Sequence, residues 1–363
     1  MHQVHFPTRG SFHATVKQRV AQYFAHSRRS PTGDWRLFMQ TGVILAWLVG
    51  SYVFLVFGST SLLMTVLAVF ALAQGYALVG FNIMHSGAHG SYASSKTLNG
   101  LMGGMLNVIG GNQRLWRHKH NRLHHTYTNL HTLDDDLDAS GLLRLSPAQP
   151  WRPWHRFQHG YAVVVYSLLT LSWVTVKDWR QLLSGRIGSY TLPPPTVADV
   201  SVFVVTKLGY FGYALVLPSF FHPWQHVLLA FVAVHLVLGL TLSLVFQLAH
   251  IVERTSFPTP EAHTGLMATE WAQHEVATTA NFAPQNPLVT WYVGGLNLQI
   301  EHHLFPRICH IHYPALSPIV AAACDEFALP YVCYPTVRSA VAAHYRFLKT
   351  LGRRPNILPS LSP

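Results

Sequence analysis

The sequence from Ser61 to His89 reads SLLMTVLAVFALAQGYALVGFNIMHSGAH. Its first part, residues 61–83, is apolar and long enough to cross a bilayer as a helix. Two histidines, His85 and His89, follow directly and lie four residues apart, so a continuing helix carries both imidazoles on one face. This stretch therefore predicts a membrane helix that ends in a pair of metal ligands.

Three further apolar runs, residues 38–58, 201–221 and 227–249, are also long enough to span a membrane. A short turn, Gly58-Ser59-Thr60, joins the first two of the four runs, and residues 222–226 with their proline join the last two. We therefore expect an all-α integral membrane protein with four transmembrane helices in two hairpins. Two shorter apolar stretches, 98–111 and 161–176, suit interfacial helices beside a cytoplasmic helical cap that holds a dimetal site.

The composition of the chain supports a membrane protein. Half of its residues are hydrophobic, 11% are charged, and the formal net charge is +11. Basic residues beside apolar spans match anionic lipid headgroups better than nucleic acid, so we expect membrane lipids and no nucleic acid as partners. The three cysteines form no CxxC pair, and the N-terminal residues do not read as a signal peptide.

Basic residues also predict the orientation of the spans. Arg28, Arg29 and Arg36 precede the first span, a basic group from Lys96 onward follows the second, and both turns lack Lys and Arg. By the positive-inside rule, the two termini and the segments 84–200 and 250–363 are expected in the cytoplasm. Lys207, near the start of the third span, is expected to extend its ammonium group to the headgroups.

A second histidine cluster lies in the segment Trp116–Asn129, which reads WRHKHNRLHHTYTN. On an α-helix, His120 and His124 share one face, whereas His125 is rotated by about 100° from His124 and can address a second ion. This rotation predicts a site for two metal ions.

A third cluster lies in residues 294–306, which read GGLNLQIEHHLFP and repeat the adjacent pair as His302 and His303. His250 ends the fourth span on the same predicted membrane face as His85. The three clusters and His250 therefore predict one metal centre at the membrane edge.

The remaining histidines are not expected to bind these metals. His235 lies fifteen residues before His250, which is about 22 Å along a helix, and His118 points away from the face of His120. Packing or surface roles are expected for the isolated histidines, which are His2, His5, His13, His26, His155, His159, His222, His226, His263 and His344. Imidazole suits zinc, iron, copper and nickel alike, so spacing alone does not select the metal.

The chain resembles the membrane fatty-acid desaturase superfamily, and within it the front-end branch with cyanobacterial delta-6 acyl-lipid desaturases and bacterial linoleoyl-CoA-type enzymes. The resemblance runs from about Phe81 to about Leu351. Besides the three clusters, it rests on the segments LAHIVE (248–253), EW (270–271), TTANF (278–282), CHIHYP (309–314) and YPT (334–336). Gln299, in place of a leading histidine in the third cluster, is the substitution typical of the front-end branch.

The resemblance implies two iron ions, O2 as co-substrate and electrons from a redox partner. It assigns the metal ligands to His85, His89, His120, His124, His125, His250, His302 and His303. It leaves further ligand or supporting roles open for Gln299, His274, Asn129, Asp136, His310 and His312. The acidic residues Asp134, Asp135, Asp136 and Asp138 are open to three interpretations: a solvated loop, support for the histidines, or a headgroup site.

Two departures from the family pattern bear on these expectations. Ser86 stands where the family commonly has aspartate, and the cytochrome domain of many eukaryotic front-end enzymes is not found in the sequence. We therefore expect a separate donor, a ferredoxin or a cytochrome with its reductase. The domain boundaries expected are 1–37 for a cytoplasmic N-terminal segment and 38–363 for the desaturase domain.

The expected reaction is desaturation of a long-chain acyl lipid or acyl-CoA near its carboxyl end, with delta-6 the leading position, in a bacterial inner membrane. An acyl hydroxylase or acetylenase on the same scaffold is the nearest alternative. A zinc transporter or hydrolase is a more distant one, since transporters hold their ligands in mid-bilayer.

Overall fold

The computed structural model describes residues 4–7, 10–58 and 61–355. Ser59, Thr60 and His2 lie outside the described residues. The chain is mostly helical, and its α-helices are α1 Ser11–Ser27, α2 Trp35–Val53, α3 Leu62–Leu78, α4 His85–His89, α5 Lys96–Gly103, α6 Met105–Val108, α7 Gln113–Arg117, α8 His125–Tyr127, α9 Gln158–Ser167, α10 Leu169–Ser172, α11 Asp178–Ser184, α12 Val197–Phe211, α13 Trp224–His250, α14 Trp271–Thr278, α15 Pro287–Tyr292, α16 Gln299–Leu304, α17 Tyr313–Glu326 and α18 Val337–Leu351.

Wider π-helical turns continue several of these helices, at Phe54–Gly58, Val79–Met84, His118–His124, Trp173–Lys177 and Gly212–Val216. Short 3₁₀ turns lie at Asp135–Leu137, Pro153–Phe157, Pro218–Phe220 and His310–His312. The strands are two residues long: Arg186–Ile187 pairs antiparallel with Tyr190–Thr191, and Asn281–Phe282 pairs parallel with Cys333–Tyr334.

Four continuous helices in the described part of the chain are long and apolar enough to cross a membrane: Trp35–Gly58, Leu62–His89, Val197–Phe220 and Trp224–His250. The four predicted spans are therefore present, but several begin earlier because polar residues cap them. Asp34 accepts a hydrogen bond from the backbone of Arg36, and Thr196 forms a capping box with Asp199. One pair of consecutive helices in the described residues, Pro153–Ser167 and Leu169–Ser184, is together also long and apolar enough to span a membrane, but it is bent by 50°.

Helix α3 lies at the centre of the membrane helices, where it contacts both α2 and α13. Helix α13 in turn contacts α9 and α10 at a close crossing. A Cβ added to Gly239 on α13 would come within 2.4 Å of the carbonyl oxygen of Ser167, so this crossing requires glycine. The largest buried apolar cluster runs from Leu37 through α3 and α13 to Ala343, and thus joins the membrane helices to the C-terminal part of the chain.

The expectation for Lys207 was wrong. Its side chain is 2% exposed, and its ammonium group lies 2.8 Å from Asp178 Oδ2. It also donates to the carbonyl oxygens of Gly110 and Val174 at 2.6 and 3.1 Å. A buried carboxylate and two carbonyl groups replace the lipid headgroups as partners of this charge, because a buried charge requires compensation.

Candidate metal centre

The first histidine pair is carried by a helix that changes its winding just before it. Residues Val79–Met84 form a π-helical turn, and the backbone N–H of His85 donates to Gly80 O, five residues earlier. The α-helical winding then resumes, so His85 and His89 face the same side with ring centroids 4.7 Å apart. Both imidazoles are buried.

The second cluster differs from the α-helical expectation, because residues His118–His124 are π-helical. In this wider turn, residues five apart come into line, so His120 and His125 face each other with their Nε2 atoms 3.1 Å apart. The Nε2 atoms of His120 and His85 are also 3.1 Å apart. His120 thus lies against both His85 and His125, while its ring also stacks on that of His124, with centroids 5.2 Å apart, as their expected shared face requires.

The buried histidines form two groups whose possible ligand atoms lie within 4.8 Å of one another. One group contains His85, His89, His120 and His302, and the other contains His124, His250 and His303. The ring of His125 lies between them, with centroids 4.6 Å from His302 and 4.3 Å from His303. His120 and His124 are nevertheless close enough to form a third group with Asp136. Four separate parts of the chain thus bring all eight of these histidines together.

The other residues singled out in the sequence fall into three situations. Gln299 lies inside the second group, with Nε2 3.1 Å from His250 Nε2 and 3.4 Å from His303 Nε2. Asp136 Oδ2 lies 3.4 Å from His124 Nδ1. The side chain of Asn129 donates hydrogen bonds to the carbonyl oxygens of His250, Ser256 and Thr278, and it thereby links these segments of the chain.

Three further histidines lie outside the groups. His310 Nδ1 lies 3.0 Å from the hydroxyl of Ser86 and thus forms a hydrogen bond with the helix that carries His85. His312 contacts the carbonyl oxygen of Thr32 through Nε2 at 3.3 Å. His274 is buried beside Phe6, with ring centroids 5.1 Å apart.

Carboxyl groups and a phenol hold the second ring nitrogen of several histidines. Glu275 Oε2 lies 2.6 Å from His303 Nδ1, both oxygens of Asp134 lie 3.2 Å from His124 Nδ1, and the hydroxyl of Tyr313 lies 3.1 Å from His302 Nδ1. Such partners fix the tautomer and leave Nε2 free to bind a metal. Asp134 is buried, so the acidic loop supports histidines at this residue. Glu275 and Tyr313 have no recognisable spacing from the histidines, and sequence reasoning missed both.

Burial sets the protonation of the site. It lowers the pKa of His120, His125, His302 and His303 well below the ordinary value, and neighbouring imidazoles lower it further. Burial also acts to lower the pKa of His124, but Asp134 and Asp136 outweigh it and raise that pKa. Burial raises the pKa of Glu275 well above its ordinary value, whereas a bound cation would act in the opposite direction.

Neutral imidazole is the form that binds metals. Among the described residues, several buried acceptor atoms in these groups have no hydrogen-bond partner, namely His89 Nε2, His302 Nε2 and Gln299 Oε1. Buried polar atoms are rarely left without partners, so their convergence fits metal ions as the missing partners. The donor set, nitrogen-rich with the Asp136 carboxylate among the possible ligands, suits iron as well as zinc.

Comparison with known proteins identifies the family. The fatty acid desaturase family model matches residues 60–335. The chain belongs to the fatty acid desaturase family. The desaturase is 37% identical to an sn-1 linoleoyl-lipid 6-desaturase of Arthrospira platensis, over 95% of this chain and 93% of the relative. It is 34% identical to an sn-1 linoleoyl-lipid 6-desaturase of Synechocystis sp., over 97% and 98% of the two chains.

An acyl-lipid (8-3)-desaturase of Physcomitrium patens is 38% identical over 94% of this chain and 72% of its own length. These relatives confirm the front-end resemblance and the assignment as an oxidoreductase that desaturates fatty acyl chains. The family and the four apolar helices together indicate an integral membrane protein. The buried histidines indicate that the desaturase binds metal.

Proposed function

We propose that this desaturase introduces a delta-6 double bond into an 18-carbon acyl chain that is esterified to a membrane lipid, with acyl-CoA as the alternative carrier. The names of the two cyanobacterial relatives, which both specify linoleoyl lipid and position 6, support the substrate and the position. The observation that carries the proposal is the pair of buried histidine groups, to which two apolar helices contribute His85, His89 and His250 at their ends. A hydrocarbon chain can reach such a centre from the bilayer.

We assign two iron ions to the centre, with ligands His85, His89, His120, His124, His125, His250, His302 and His303. Gln299 would complete the group of His250 and His303 through its unpartnered Oε1. When bound, the iron ions would activate O2, the oxidant needed to remove hydrogen from an unactivated methylene, which side chains alone cannot do.

The residues of the chain have three tasks around this centre. Burial favours the neutral imidazoles, and the carboxyl groups hydrogen-bonded to Nδ1 hold the rings in place with Nε2 directed towards the metal. The apolar surroundings exclude water, and they bind hydrocarbon with about 0.8 kcal/mol for each buried methylene. Because every methylene contributes similarly, the position of the double bond must depend on where the acyl path narrows or ends.

The reaction requires an electron donor. One O2 accepts two hydrogen atoms from the acyl chain, two electrons and two protons, and becomes two molecules of water. We propose a ferredoxin or a cytochrome with its reductase as the donor, docked on a basic cytoplasmic surface of a chain whose formal net charge is +11.

For the topology, we propose two hairpins in a bacterial inner membrane, with the termini and the histidine centre on the cytoplasmic side as part of a helical cap. The desaturase domain would cover residues 38–363, after a cytoplasmic segment 1–37. The absence of Lys and Arg from the turns between paired spans supports this orientation.

Expression in a host that lacks polyunsaturated fatty acids tests the function. Fed with linoleic acid, cells carrying the wild-type chain should accumulate the delta-6 product, as read by gas chromatography and mass spectrometry of the double-bond position. His124→Ala should abolish the product, whereas the matched variant His118→Ala should retain it. A product with an added oxygen atom would instead identify a hydroxylase, and an unchanged product in His124→Ala would reject the ligand assignment.

A further inference from the structure

Gly80 is a buried residue that faces open space inside the protein. It lies in the π-helical turn Val79–Met84, where its neighbours Val79, Phe81, Asn82 and Ile83 are 1% exposed or less. Apart from its chain neighbours Val79 and Phe81 and the backbone of its own helix, no heavy atom of the described residues lies within 4 Å of a Cβ added to Gly80. Protein interiors are closely packed, so unfilled space beside a buried backbone is uncommon.

Neither packing nor backbone conformation explains a glycine at this position. An added Cβ at Gly75, one turn earlier, would lie 3.1 Å from Trp47 Cδ1 and 3.2 Å from Leu48 Cα, so that glycine allows α3 to approach α2. Gly80 makes no such contact, and its backbone is helical rather than left-handed. Helix interiors disfavour glycine relative to alanine, and the Cβ of an alanine would meet no such contact here.

The open space lies next to the metal centre. The backbone N–H of His85 donates to Gly80 O. Gly80 therefore lies one π-helical turn before this histidine, about 7 Å away along the helix axis. The direction from His85 to Gly80 points back along α3, towards the membrane interior. Single π-turns within α-helices are frequent at functional sites.

We propose that Gly80 lines the path of the substrate's acyl chain as it passes the metal centre, and that the missing side chain sets how much hydrocarbon fits there. This proposal rests on the proposed function, because it takes a fatty acyl chain as the occupant. The apolar neighbours of Gly80 on the helix, Val79, Phe81 and Ile83, are all buried, and hydrocarbon is the kind of ligand that suits such surroundings. Gly80 is thereby a specificity-determining residue rather than a metal-binding one.

A series of side chains at Gly80 tests the proposal, with Gly42→Leu as the matched control. Gly42 also lies within a membrane helix and its added Cβ would meet nothing within 4 Å, but it is exposed on the outer surface of α2. Gly80→Ala, Gly80→Val and Gly80→Leu are expressed in the host that lacks polyunsaturated fatty acids and fed with linoleic acid. Product, iron per chain and the increase in Tm on adding linoleoyl phospholipid to the purified protein are measured.

Product should fall progressively from Ala to Leu, by about fifteen-fold for Gly80→Leu, which corresponds to the lost burial of about two methylene groups. Gly42→Leu should stay within about twofold of wild type. Iron per chain should be unchanged in every variant, and the lipid should raise the Tm of wild type but not that of Gly80→Leu. Wild-type product from Gly80→Leu, or a loss of product that follows a loss of iron, would overturn the proposal.

The two proposals can fail separately. If wild type makes no delta-6 product, the proposed function fails. The lipid-dependent Tm still tests the acyl path in that case: a shift seen in wild type and lost in Gly80→Leu supports it, and equal shifts in both reject it.

Discussion

Replacing Glu275 with glutamine changes one oxygen of a buried carboxyl group that faces the metal centre. Glu275 is 0% exposed, its Oε2 lies 2.6 Å from His303 Nδ1, and the hydroxyl of Thr128 donates to the same oxygen at 2.9 Å. Glutamine preserves the shape of the side chain but removes the negative charge that Glu275 carries when a bound cation offsets the effect of burial on its pKa. A hydrogen bond to an ionised acceptor is roughly twice as strong as one to a neutral acceptor.

The expected effect is a weaker hold on the metal at the group of His124, His250 and His303. Loss of a carboxylate behind a ligating histidine lowers metal affinity by about 10- to 100-fold, or about 1.4–2.8 kcal/mol. The assay is competition of the purified protein against a ferrous chelator, with bound iron measured at increasing chelator concentration. Glu326→Gln, which changes an exposed carboxylate paired with Arg19, is the control and should stay within about twofold of wild type. Equal chelator curves for Glu275→Gln and wild type would refute the role assigned to Glu275.

Two further predictions concern stability away from the metal centre. Lys207→Met leaves Asp178 buried without its cation and should lower the free energy of unfolding by about 3–5 kcal/mol. Adding Asp178→Asn should recover more than half of that loss. Equal losses in the single and double variants would contradict the role of the buried pair. His344 is buried between Tyr166 OH and Ile251 O, and burial lowers its pKa to about 4 from an ordinary 6.5. The stabilisation by neutral His344 is therefore complete above pH 6.5 and is lost as the pH falls towards 4. At pH 5 the free energy of unfolding is lower by about 2 kcal/mol than at pH 7.5. The Tm of His344→Gln should therefore fall less steeply with decreasing pH than that of wild type. Identical pH profiles for the two proteins would contradict this role of His344.

The membrane part of the fold could be predicted because hydrophobic length is a local property of the sequence. The spans expected at 38–58, 61–83, 201–221 and 227–249 are all helices. The main difference is their length: the first begins at Trp35, the second ends at His89 and the fourth ends at His250. Their pairing into hairpins and their cytoplasmic orientation stay predictions.

The residues of the histidine centre could be predicted from the sequence, but the contacts among their rings could not. The spacing of His85 and His89 predicts their shared face, because α-helical winding resumes at His85. The same reasoning finds the proximity of His120 and His124 but misses the contact between His120 and His125, since nothing in their sequence distinguishes a π-turn from an α-turn. Glu275 and Lys207 were missed or misjudged for another reason: their partners, His303 and Asp178, are distant in sequence and meet them only through tertiary packing.

The central claim is that the two buried histidine groups bind a pair of iron ions. Elemental analysis of the purified desaturase tests it most directly, with wild type, His124→Ala and His118→Ala compared at equal protein concentration. Two iron ions per chain are predicted in wild type and in His118→Ala, and clearly fewer in His124→Ala. Zinc in place of iron, or the same iron content in all three proteins, would contradict the assignment.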